Sequence, residues 1–185
     1  MAFAQLATLR LNVRRAMVSL IDSKHQYILT EATKTVSLMC DKRHDSDDEL
    51  WLGNAVVARD EAVCHHTFTN TYQAKEDNGT SYEARGLVVD DCRLDDRFKD
   101  RSYVQAEPGI RFYAGVPIVT RSGHAIGVYA VSDESPRDGL TAAELTFMQD
   151  IAAACLEHLE WAKDRVDRFK GERIVGLTSS SCGQV

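Results

Sequence analysis

The sequence predicts an α+β fold in which helices cover an antiparallel sheet. Three observations lead there. Segments 111–118 and 124–131 alternate apolar residues at period two on either side of Arg121-Ser122-Gly123, the pattern of a tight hairpin. Thr141, with Glu144 three residues later, opens a long helical seam. The chain as a whole reads helix, strands, short helix, long loop, strands, helix.

Phe3, Leu6 and Leu9 stand at helical spacing and predict a helix over 3–12. Residues 15–21 are compact and apolar and end at the turn signal Asp22-Ser23. They read as a buried strand, with 25–31 as its hairpin partner. A third strand is expected over 35–39. The polar stretch 40–48 reads as a loop, and 61–69 as a short helix. Residues 70–84 are rich in Asn, Gly, Thr and charge, so they read as the most mobile part of the body, with a turn at Asn78-Gly79. A short strand is expected at 86–89, then an acidic irregular run over 92–109 in which Phe98 is a plug for the core. Phe112, Ala114, Val116 and Ile118 share one face of the next strand. In the strand after it, Ile126, Val128 and Ala130 share one face, and Tyr129 and Val131 the other.

The seam of the last helix runs Leu145, Met148, Ala152, Cys155, Leu159, Ala162, Val166, Phe169, in steps of three and four. Its first half is expected to pack on the sheet. From Glu160 onward its neighbours are charged, so its second half is expected to leave the body and form a homodimer. Residues 176–185 are small and polar and read as a disordered tail. The domain is therefore placed at 1–165, with a helix end and flexible tail at 166–185.

A length of 185 residues fits one domain with a real core. The net charge of -6 argues against a phosphate-collecting surface, and so against nucleic acid. The five cysteines form no CxxC pair and their number is odd, which fits free thiols in a reducing compartment. Neither a signal peptide nor a membrane span is legible, so the chain reads as cytoplasmic with no membrane partner. Its opening in helix-like sequence is that of a piece of a longer protein.

The blocks LVVDD (87–91), DDRFKD (95–100), PGIRFYAGVPI (108–118) and GHAIGVYAVSD (123–133) resemble the GAF family in order and spacing. Residues 136–152 resemble its closing helix, and 15–35 its first strand pair. The wording is similar to GAF regions of fungal hybrid histidine kinases and of bacterial sensor proteins. The resemblance implies a GAF-like six-stranded antiparallel sheet flanked by N- and C-terminal helices, with a pocket on one face. Across the family that pocket holds a cyclic nucleotide, a tetrapyrrole, another small molecule or no known ligand, so the cofactor stays unassigned. It also implies a sensory, non-catalytic module of a phosphorelay protein that signals to a downstream kinase or regulator domain. The chain carries no NKFDE-type cyclic-nucleotide motif, no bilin-attachment context, and neither a phosphoacceptor-histidine block nor a kinase nucleotide site.

Several constellations are candidates for a site. Cys64-His65-His66 invites a metal or redox reading, with Cys92 as a further member. Adjacent residues of a helix point about 100° apart, however, and cannot easily share one ion. The plainer reading is a buried thiol beside two partly exposed imidazoles. A thiol switch, or a reductase of the free methionine sulfoxide type, would need a lowered thiol pKa, and Asp90, Asp91 and Asp95 near Cys92 oppose that. A purely structural dimerisation domain is a third alternative. Asp90, Asp91, Asp95 and Asp96 alternate with Arg93, Arg97 and Lys99, a pattern more typical of capped turns than of acid–base work. Arg111 and Tyr113 border the pocket face if Phe112 lies in the core. Arg111 either recognises an anionic or planar ligand or pairs with an Asp of the preceding loop. The candidate ligand-binding set is Cys64, His65, Asp90, Asp91, Arg111, Tyr113 and Tyr129. No catalytic or metal residue is assigned.

Overall fold

A computed structural model describes residues 2–36, 48–75 and 81–180. Helix α1 (Ala2–Arg10) precedes strands β1 (Arg15–Ile21) and β2 (His25–Ala32), both where alternation placed them. Next come β3 (Val56–Ala58), a 3-10 helix (Val63–Phe68), the hairpin β4 (Thr71–Lys75) and β5 (Ser81–Arg85), and β6 (Leu87–Val89). A short helix α2 (Ser102–Gln105) leads to the long hairpin β7 (Phe112–Val119) and β8 (Ala125–Asp133), and α3 (Ala142–Ser180) closes the chain. The main sheet has six strands in the order β3-β2-β1-β8-β7-β6, with antiparallel neighbours throughout.

Pleating gives this sheet two working faces. Ala16, Val18, Phe112, Ala114, Val116, Ile118, Tyr129 and Val131 face α1 and α3 and pack with Ala4, Ala7, Leu145, Met148, Ala152 and Cys155. Met17, Ile21, Ile28, Leu87, Val89, Tyr113, Val128 and Ala130 face the other way, under Cys64, Cys92, Phe98 and Val104. Phe98 is the buried plug the sequence predicted. A register shift between Val18 and Ser19 skips Leu29 of β2, so Glu31 pairs with Met17 and takes its face.

The entry to α3 is braced from several sides. The amide and hydroxyl of Thr141 meet the Glu144 carboxylate at 2.9 and 3.0 Å, and the Glu144 amide donates back to Thr141 Oγ1 at 3.3 Å, a capping box. Arg137 donates to the Leu11 carbonyl at 2.7 Å and also pairs with Glu144, so it ties the end of α1 to the start of α3. Along the seam, Leu145, Met148, Ala152 and Cys155 are buried, Leu159 and Ala162 are half-buried, and Val166 and Phe169 are exposed, as is Trp161 beside them.

Other expectations need correction. Residues 35 and 36 form no strand, and 37–47 lie outside the described residues, so the 35–39 strand and most of the 40–48 loop are not placed. The next strand after β2 is β3, where Val56 pairs with Tyr27. Within 70–84 the structure has a hairpin, and only 76–80, with the Asn78-Gly79 turn, lie outside the described residues. Period-two alternation of Tyr72 with Ala74 and of Tyr82 with Ala84 drives it. The alanines are buried, and the tyrosine hydroxyls bond to Leu140 and Gln149. Helix α1 buries Ala4, Ala7 and Thr8, leaving Leu6 and Leu9 at 45% and 61% exposure; small residues let the helix lie close on the sheet. Helix α3 continues through Gly176 to Ser180, so this part of the expected tail is helical, and 181–185 lie outside the described residues.

Candidate functional site

A cavity of about 90 Å³ lies between the sheet, the 3-10 helix, α2 and the 49–55 segment. One row of paired residues forms its floor: Arg15 on β1 stands beside Ser132 on β8, which stands beside Tyr113 on β7. Met17, Val57, Ala62, Val63 and Ile110 give it apolar walls, and Cys64, Gln26, Trp51 and Tyr103 complete them.

Two buried charges strap the 49–53 segment over one side. The Glu31 carboxylate accepts from the amides of Trp51, Leu52 and Gly53 at 3.0, 2.9 and 2.7 Å. Gly53 has φ 56, a left-handed conformation natural to glycine that turns successive amides toward one anion. The Arg15 guanidinium donates to Glu134 at 2.7 Å and to the Glu49 carbonyl at 3.2 Å, and lies 3.6 Å from the Trp51 ring centre. Both charges are therefore matched before any ligand arrives.

Two hydroxyls on the cavity wall are not matched. Ser132 Oγ and the Tyr103 hydroxyl are buried and have no hydrogen-bond partner among the described residues. Each such group costs about 1–3 kcal/mol while it stays unpaired. Burial holds the Tyr103 proton on by raising its pKa.

The candidate residues divide. Cys64 and Tyr113 line the cavity. The Tyr113 hydroxyl meets Thr67 Oγ1 at 3.3 Å, in the space a side chain at Gly115 would fill. Burial pushes the Cys64 thiol up, and pushes Cys92 up to about 12 with Asp95 and Asp91 adding to the effect. Both shifts run opposite to what a nucleophilic or redox thiol needs. His65 lies outside the cavity lining; its Nδ1 is 2.8 Å from the Ala62 carbonyl and its ring stacks on His66 at 4.0 Å. Among the described residues no cluster of three metal-ligating groups forms.

The remaining four candidates serve the frame. Asp90 accepts from the Gly139 amide at 3.1 Å and its carbonyl accepts from Arg137, so it braces the approach to α3. The Asp91 carboxylate is held by Arg93 at 2.6 Å, which lowers its pKa. Arg111 points away from the cavity: Gly109 makes room for its guanidinium, which bonds to the Val104 carbonyl and pairs with Glu107 at 2.7 Å. The pairing reading of Arg111 therefore holds, with a glutamate as partner. Tyr129 sits on the opposite face of the sheet, because alternation sends it to the helix side, where its hydroxyl donates to the Phe3 carbonyl at 2.7 Å.

Sequence reasoning missed Arg15, Glu31, Trp51, Tyr103 and Ser132. The available signal was a charge inside each of two apolar strands, since buried strands carry charge only where it is answered.

Comparison with known proteins places this geometry. A family model described as GAF domain matches residues 2–158. The chain is 44% identical over 64 residues to a cyclic di-GMP phosphodiesterase of Pseudomonas aeruginosa; the match covers 35% of this chain and 11% of that protein. The fold is similar to a domain of a two-component sensor histidine kinase protein from Sinorhizobium meliloti, at TM-score 0.55 and 17% identity, covering 90% of this chain and 92% of that one. It is also similar to the GAF domain of an Acinetobacter phosphoenolpyruvate-protein phosphotransferase, at TM-score 0.55 and 13% identity, covering 89% and 81%. A far-red cyanobacteriochrome photoreceptor aligns at TM-score 0.58 and 13% identity, covering 86% and 83%. With its sheet order, its paired terminal helices and a family match over most of its length, the chain belongs to the GAF family.

Proposed function

We propose that this chain is a sensory and regulatory module that binds a small molecule in the cavity and reports it through α3 to an output domain. One observation carries this reading. Strands β7 and β8 serve both sides of the sheet: Tyr113 and Ser132 line the cavity, while Phe112, Ala114 and Tyr129 pack under α3. A ligand that shifts these strands shifts what the helix rests on. Among the described side chains, Cys155 is the last buried residue of α3, and in this reading the exposed Trp161, Val166 and Phe169 pair with a second copy of the chain. The output is a histidine kinase phosphorelay, in keeping with the sensor kinase among the structural neighbours. The Pseudomonas aeruginosa relative supports a second class of output, a phosphodiesterase domain.

Native mass spectrometry of the protein purified from its own host tests the cavity. The expected result is a small bound mass that disappears in Ala62→Trp, which fills the space. A bare chain mass in both preparations would refute ligand binding. Sedimentation tests the pairing: Val166→Asp with Phe169→Asp is expected to turn a dimer into a monomer. If the unaltered chain is itself a monomer, the helix does not pair.

A further inference from the structure

We infer that the ligand is a small uncharged molecule with an apolar body and one head group that both donates and accepts a hydrogen bond, such as a short alcohol or primary amide. The inference rests on the reading of the cavity as the ligand site and narrows it to a chemical class.

Size sets the first limit. An apolar cavity of about 150 Å³ holds benzene, so one of about 90 Å³ holds roughly four non-hydrogen atoms. Cyclic nucleotides and tetrapyrroles are several times larger. Charge sets the second. The charges on the lining are already answered: Glu31 by three amides, Arg15 by Glu134 at 2.7 Å and Glu61 by Arg101 at 2.7 Å, so an ionic ligand meets no uncompensated charge. A carboxylate or ammonium in this space would be buried without a counter-charge. The unpaired groups set the third. Ser132, 1% exposed, and Tyr103 both line the cavity, and neither hydroxyl has a partner among the described residues. A hydroxyl donates and accepts, so a neutral head that does the same matches their chemistry. Met17, Val57 and Val63 cover the rest of the molecule.

Methyl-resolved NMR titration of the intact chain tests this, with 1-propanol and acetamide as probes and acetate and cyclic GMP as controls. The neutral probes are expected to shift the Met17 and Val63 methyl signals saturably, with acetate at least ten-fold weaker. Ser132→Ala and Tyr103→Phe are each expected to weaken 1-propanol about five-fold while 1-chloropropane, which lacks the donor, is unchanged. The tyrosine variant removes one oxygen from a partly buried side chain, so it reports even if the serine variant folds poorly. Tighter binding of acetate or cyclic GMP at the same methyls would overturn the class and leave the cavity as a ligand site. No shift with any probe at tens of millimolar would mean that the hydroxyls hold only water, and would also overturn it. In that case the host-purified mass still decides whether the cavity binds anything.

Discussion

The two faces of the central sheet are built by different means. On the helix side, regular elements meet through alanines and branched side chains, and the contact is dense and apolar, from Ala4 and Ala7 to Leu145 and Met148. On the cavity side, a 3-10 turn, a four-residue helix and long loops are held down by single polar staples: Glu31 on three amides, Arg15 on Glu134, Arg111 on Val104 and Glu107. Burial stabilises the first face in proportion to area. The second relies on a few bonds whose loss frees a segment. If the proposed reading holds, such a cover can yield to a guest without loosening the scaffold beneath it.

Substitutions on each side can break or sharpen this contrast. The largest effect is expected from Leu145→Ala, which opens a void in the dense face. It should cost about 2–5 kcal/mol, with a Tm drop of several degrees in calorimetry. Glu31→Ala is expected to cost less, about 1–3 kcal/mol, because the freed amides of 51–53 can turn to water. Hydrogen exchange should show the difference in kind, with faster exchange confined to 49–55 after Glu31→Ala and spread over α3 and β7 after Leu145→Ala. Equal costs, or identical exchange maps, would erase the distinction between the faces. The smallest effect concerns the loop surface. Arg97 holds the Asp95 carboxylate below its ordinary pKa at 2.6 Å. A carboxylate that titrates lower when folded adds stability above about pH 4 and loses it as the pH falls through its folded value. Asp95→Asn should therefore remove less than about 1 kcal/mol at neutral pH and nothing at pH 2, as read from urea midpoints at the two pH values.

The same contrast explains what the sequence made legible. Periodic residues were readable: the alternation of 112–118, the 15–21 strand and the Thr141–Glu144 box all stand where the pattern put them. These signals are local, and the dense face is assembled from them. Tyr113 and Cys64 were found because one sits on a readable strand and the other on a short apolar helix. Glu31, Ser132 and Tyr103 escaped because their roles depend on long-range neighbours. The register shift that skips Leu29 redirects Glu31, and nothing in 25–32 announces it. Tyr129 was misplaced for a related reason: alternation separates two faces but does not say which one the helices will cover. The 71–85 hairpin was hidden by its polar composition, since only alanines and tyrosines at every second position bind it to α3.

The continuity of α3 has a mechanical consequence. Its 39 residues make one rod of about 58 Å, and the part beyond Cys155 spans roughly 37 Å. The rod is clamped at its capped end and acts as a lever. A tilt of about 5° where Leu145 and Met148 rest on the sheet becomes about 3 Å of travel at the far end, more than the helix shifts of about 1–2 Å that switch subunit interfaces. Rearrangements too small to change the outline of the body would thus still be large at the far end of the rod.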